Sequence, residues 1–380
     1  MSGVIAKKDR LVIHLGRRDP TFLPLLTMPF FQATSTKLPL SHEVTGPYPS
    51  AGPYEFTRND VNALTSLRRN PYYRGQRRRN LTGLDVQWNV DEQTGFNEVQ
   101  TGDLDQGPLP EAEVQSIADR YGVNKSRFWA VPRNCISYLA FNNRRPLFAK
   151  VAMRKAVNGA VNRTAFAAQG GAYSMTPWTH LIPPRFPGSL TRKRLQPYAV
   201  HPDLAKAKRL AGPSIAGKKI RILYVTRGVN AAQAALIRRD LMRLGFKAGN
   251  ITMEAFTGPY YDEFGNYHST IDLRVGGGWC LTPELPGPEE LLSSFVGRGN
   301  PFRVDSPRYR SRLARAASLP QPAKARALGK LDVDLMRNLP PAAATGAPNN
   351  RYFFSSRVDP RGLVWSAMYE GWSIPALALK

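Results

Sequence analysis

An α/β fold is predicted by three observations in the second half of the chain. Residues 220–225 (IRILYV) form a near-continuous apolar run of strand length, and residues 230–244 carry an amphipathic helical pattern. Residues 251–255 and 271–275 then return as short strand-like runs. Strands that alternate with helices build a largely parallel sheet. In the helix, Ala234, Ala235, Leu241 and Leu244 are predicted inward and Arg238, Arg239, Asp240 and Arg243 outward, with Gly245 as the stop.

The rest of the chain supplies further elements in order. Residues 11–15 alternate as a strand, followed by a Pro-interrupted apolar run. Residues 44–56 (TGPYPSAGPYEFT) are turn-rich. Strands are predicted at 63–68, 84–89, 129–131 and 136–141, and helices at 93–101 and 111–121. A helix over 151–163 places Val151, Ala152, Ala156, Ala160 and Val161 on one side and Arg154, Lys155 and Arg163 outside. A basic helix is read at 202–210. Helices at 288–296 and 308–337 follow the α/β unit, and the last 30 residues read as strand and turn. A length of 380 residues suits two or three lobes.

Several chemistries lack their residues. The five histidines stand singly, without a His-x-x-x-His pair or a neighbouring cysteine, so neither a metal site nor a cofactor is expected. The segment GPSIAGKK (212–219) nearly matches a phosphate-binding loop. It has Lys219 where Ser or Thr must hold magnesium, and it precedes a strand. No Gly-x-Ser-x-Gly elbow occurs, so no hydrolase nucleophile is marked and no enzyme is predicted. The most apolar window, residues 22–31, contains Pro24 and Pro29 and is too short to span a bilayer. The apolar stretch 11–15 is too short for a signal-peptide core, so none is expected in residues 1–20.

The formal net charge is +25, which attracts the chain to anionic partners and says nothing about fold. The basic residues come in short clusters such as 77–79, 192–194 and 238–239, spread over the whole chain. A nucleic-acid binder concentrates such charge on one face beside aromatic platforms, so the scatter reads as a solvated Arg-rich surface. Nucleic-acid binding is the competing class. The two cysteines, Cys135 and Cys280, read either as two buried reduced thiols or as one disulfide closing a long loop.

Eight blocks carry a resemblance: SAGPY (50–54), LRRNPYY (67–73), GDLD (102–105), YLAFN (138–142), VAMRKAV with AVNR (151–157, 160–163), PPRFPG (183–188), HPDLAK (201–206) and GGWC (277–280). In this order they resemble solute-binding protein family 5, the peptide- and nickel-binding components of ABC importers. The resemblance implies an α/β fold of the type II periplasmic-binding-protein kind, with two lobes and mixed or parallel sheets joined by a hinge. It implies an N-terminally truncated member, with residues 1–36 a remnant of lobe two, 37–134 and 348–380 lobe one, and 135–347 lobe three. The intact family is extracytoplasmic, and some members are lipid-anchored.

Its implied role is capture of an oligopeptide or related small solute by lobe closure, with delivery to ABC permease subunits. No catalysis and no nucleic-acid partner are implied. The ligand adds a strand between the lobes, and Gly278 and Cys280 would offer the backbone it pairs with, beside Trp279. Oligopeptide-binding relatives place an aspartate at the position of Thr282 to neutralise the ligand's α-ammonium. A hydroxyl forgoes that charge-assisted bond, worth roughly 1.5–3 kcal/mol. Relatives also imply a disulfide between Cys135 and Cys280.

Overall fold

The computed structural model describes residues 3–16, 22–26, 31, 33–36, 38, 47, 49–258, 266, 268–281, 287–366 and 370–380. Strands β1 (Val4–Lys7) and β2 (Arg10–Ile13) form a hairpin. A three-stranded antiparallel sheet follows from β3 (Tyr54–Asp60), β4 (Leu64–Arg69) and β5 (Gly83–Gln87). Next come β6 (Gln106–Gly107), β7 (Phe128–Pro132), β8 (Cys135–Phe141), β9 (Met175–Pro177), β10 (Ile220–Val225), β11 (Ile251–Phe256) and β12 (Leu273–Cys280). The chain ends through β13 (Ala342–Phe354), β14 (Trp365–Ser366) and β15 (Gly371–Trp372).

Strands β6 to β13 make one eight-stranded sheet with the path β11-β10-β12-β8-β13-β6, from which β7 and β9 also pair with β13. Strand β8 shows how it is packed. Its side chains alternate between faces, so Ile136, Tyr138 and Ala140 enter one apolar cluster and Leu139 and Phe141 another. Helices Gly287–Val296, Pro307–Ala317 and Ala323–Asn338 cover the first face. Helices Val151–Ala160, Arg163–Ala168, Leu204–Ala211 and Asn230–Leu244 cover the second. Coverage of both faces explains why β8 reads as a near-continuous apolar run. Full burial of a ring such as Phe295 stabilises by about 1.5–3 kcal/mol.

The long strand β13 joins two regions. It pairs with β8 over Ala342–Gly346, then with β7 over Asn349–Phe353, and reaches β6 at its end. The β7–β8 connection at Arg133 and Asn134 crosses at the same level, and Arg133 N–H donates to the Pro348 carbonyl at 2.8 Å.

Several expectations are corrected. The sheet is parallel only along β11-β10-β12; β8 and β13 run antiparallel to their neighbours. The long helix over 308–337 is two helices, Pro307–Ala317 and Ala323–Asn338, because Pro320 and Pro322 stand between them and proline cannot continue a helical ladder. The stretch 111–121 starts as a 3-10 turn, Glu111–Glu113, and becomes α-helical from Val114. The helix over 151–163 stops at Ala160, and Ala152 and Ala235 are exposed instead of buried.

Three charged residues expected outside are buried: Arg154, Arg163 and Asp240. Arg163 is fully buried, and its guanidinium donates to the carbonyls of Ala344, Asn158 and Ala199 and to the Asn158 side chain. Burial pushes Arg163 and Arg154 down to about 10. Asp240 accepts from Asn162 N–H at 2.8 Å. Amphipathic patterning assigns charge to solvent and is blind to a buried charge that finds its hydrogen bonds in the backbone.

Candidate functional site

The predicted ligand strand is the C-terminal half of β12. Strand β10 pairs with it in parallel only from Leu273 to Val275, whereas β8 accompanies it to Cys280. The β8 register shifts between Arg274 and Gly277. Gly276 sits in this bulge with φ 97°, a left-handed conformation that glycine adopts without a Cβ clash. A Cβ there would also stand 3.2 Å from the Asn230 side chain, at the start of helix Asn230–Leu244. Past Val275 no strand continues β10 along that flank of β12 among the described residues.

Cys135 and Cys280 lie opposite each other at the end of this pair, with Cα atoms 3.9 Å apart and their sulfurs bonded. Such a close pair is the narrow, non-hydrogen-bonded kind in an antiparallel ladder. Cys280, and Gly278 two residues before it, therefore aim their backbone groups away from β8, while those of Trp279 face Ile136. The Gly278 carbonyl accepts from the Tyr138 hydroxyl at 3.5 Å. Trp279 is partly buried against the first apolar cluster.

A carboxylate and an aromatic wall stand at the same end. Glu370 accepts from Asn134 N–H at 2.6 Å and from Arg133 Nε at 3.0 Å, and lies 3.9 Å from the Cys135 sulfur. Next to it Trp129, Tyr352, Trp365 and Trp372 pack ring against ring at 5.3–5.7 Å, mostly edge to face. Burial raises the Tyr352 phenol above its ordinary range, and the Glu370 charge adds to the effect.

Of the predicted residues, Gly278, Trp279 and Cys280 share β12; Thr282 lies outside the described residues. Glu370 and the aromatic wall were not singled out from sequence. The only signal was the closeness of Trp365 and Trp372 near the chain end. A cavity of about 800 Å³ opens between β5 and β6, with Leu104, Phe354 and Leu377 among its walls, and it reaches the aromatic wall at Trp372. Among the described residues no group of three or more His, Cys, Asp or Glu is arranged to hold a metal ion.

Comparison with known proteins gives the class. The chain matches the model of bacterial extracellular solute-binding proteins, family 5 (middle), over residues 2–287, and it belongs to that family. No curated protein sequence matches it. Among solved structures it is similar to HbpA2 from Haemophilus parasuis (17% identity, TM-score 0.77), covering 99% of this chain and 75% of that one. It is likewise similar to MppA, a periplasmic murein tripeptide binding protein in its unliganded open form (18% identity, TM-score 0.76, 99% and 73% covered). DppA from Helicobacter pylori, in complex with peptide STSA, is 19% identical at TM-score 0.65, with 99% and 73% covered.

The fold is therefore that of the two-lobed, type II periplasmic binding proteins. The family is one of binding proteins, and the chain is not an enzyme. Proteins of this family are extracytoplasmic. No described helix is long and apolar enough to cross a membrane.

Proposed function

We propose that this chain captures peptides, or small solutes with a peptide-like backbone, and presents them to the permease subunits of an ABC importer. The observation that carries this reading is that β12 runs on for five residues past Val275 without β10 beside it, turned by the bulge at Gly276. An extended ligand adding there satisfies main-chain groups independently of its side chains, which is the basis of broad specificity. Gly278 and Cys280 supply the pairing edge, and Trp279 stands beside it. The disulfide and Glu370 fix the end of that edge, and the aromatic wall faces the ligand's side chains.

The lobes meet where the backbone crosses twice, at Arg133–Asn134 and in β13 near Ala347 and Pro348. On this reading residues 37–134 with 348–380 form one lobe and 135–347 the other, and they close on the solute. Thr282 brings no carboxylate, so a free α-amine gains less here than in relatives that carry aspartate.

The test is calorimetric titration and thermal shift with an oligopeptide library. Binding of several unrelated peptides, weakened at least tenfold by Trp279→Ala, is the expected result. No shift with any oligopeptide or amino-acid amide overturns the reading.

A further inference from the structure

One basic surface is concentrated instead of scattered. In helix Ala323–Asn338, residues Arg326, Lys330 and Arg337 are spaced by four and seven, which places them on one side, and all three are exposed. The segment 186–196 runs along this helix. Gly188 and Gly329 touch backbone to backbone, since a Cβ on Gly329 would land on the Gly188 carbonyl oxygen. Further along, buried Asp332 accepts from Leu181 N–H, Ile182 N–H and the His180 ring, and Arg337 donates to the Leu195 carbonyl at 2.8 Å. The 3-10 turn Lys193–Leu195, entered through Arg192, is thereby set against the cationic side of the helix.

Arg192, Lys193 and Arg194 are exposed and extend the three helical cations into a ridge of six. No acid within the two segments offsets them. Residues 186–196 contain none, and the helix's two aspartates are engaged elsewhere: Asp332 is buried on His180, and Asp334 is held by Arg312 and Tyr309. Apart from the Arg337 bond to Leu195, these six side chains make no hydrogen bond or ion pair among the described residues.

We propose that this ridge is a docking surface for an anionic phospholipid bilayer. Charge complementarity selects an anionic partner, and the family's extracytoplasmic setting places the chain beside a membrane. Nucleic acid is disfavoured because no exposed aromatic ring stands on the ridge to stack a base. Phosphate headgroups need only cations at the surface, and each Lys or Arg strengthens attachment about fivefold. The ridge shares no residue with the β12 edge, so solute binding and membrane attachment are separable.

Co-sedimentation with vesicles of phosphatidylglycerol and phosphatidylcholine, against phosphatidylcholine alone, tests this. The full chain is expected to bind only the anionic vesicles and to detach as salt rises. The variant Arg326→Gln/Lys330→Gln/Arg337→Gln should bind about 100-fold more weakly, by three such steps, with unchanged peptide affinity. Arg192→Gln/Lys193→Gln/Arg194→Gln, which leaves the Arg337 bond intact, should lose as much. A control that removes three exposed cations elsewhere, Arg77→Gln/Arg78→Gln/Lys247→Gln, should bind nearly as well as the parent chain. Equal loss in the control assigns attachment to diffuse charge and overturns the ridge. So does absence of vesicle binding, or ridge-dependent binding to duplex DNA with none to vesicles.

Discussion

The eight-stranded sheet, mixed in direction, and the antiparallel sheet β3-β4-β5 are held in different ways. Strand β8 is covered on both faces, so nearly all its side chains are buried. Strands β3 and β5 bury only Tyr54 between them, and Val61 and Trp88 at their ends are 66% and 52% exposed. Polar bonds take over there: Asn70 donates to the carbonyls of Ser50 and Gly52, the Tyr54 hydroxyl to that of Leu81, and Arg68 to Asp85. Apolar burial thus sets the stability of the large sheet, while turn and edge hydrogen bonds set the geometry of the small one.

The sharpest way to break that comparison is a matched pair of truncations. Phe295→Ala, at the centre of the first cluster, is expected to cost about 3–5 kcal/mol in urea unfolding, and Leu67→Ala in the small sheet about 2 kcal/mol. Equal costs would show both regions to be cores of the same kind. Next in size, Cys135→Ser/Cys280→Ser opens a link across 145 residues and should lower stability by about 2–4 kcal/mol. Denatured protein should show no free thiol until reductant is added.

The junction between the regions is probed by Glu370→Gln. It keeps the side chain's shape but weakens the bonds to Asn134 and Arg133, with an expected loss of about 1–2 kcal/mol. If the two crossings form the hinge, peptide affinity should shift along with stability. The smallest effect is alkaline. Burial, with Asp334 beside it, pushes the Tyr309 phenol up to about 12. Between the ordinary phenol value of about 10 and that value, the folded chain holds a proton that the unfolded chain has lost, so stability falls as pH rises through this window. Tyr309→Phe should flatten the slope, measured by chemical unfolding at successive pH values.

Much of the large sheet was legible because burial writes itself as apolar runs. The strand 220–225 and the helix 230–244 match β10 and Asn230–Leu244 end to end. The legible part of the site was the Gly-Gly-Trp-Cys segment, recognisable by resemblance and found on β12. Glu370 was not legible, since a lone carboxylate in a C-terminal turn has no pattern, and only the return of the chain past β13 brings it to Asn134. The buried Arg163 was missed for a related reason: its acceptors are backbone carbonyls, which no side-chain pattern reports.

The basic ridge is the same lesson at the surface. Composition fixed a charge of +25 and local clusters at 192–194 and elsewhere, and from the sequence these were scattered. The close approach of Gly188 to Gly329, the Asp332 anchor and the Arg337 bond put two distant segments side by side. By itself the sequence determined the main elements of the α/β unit, the family and the amount of charge, because propensity, periodicity and composition are local or summed quantities. Which charges stand together, which are buried, and where β12 parts from β10 were decided by tertiary packing, because those depend on contacts between residues far apart along the chain.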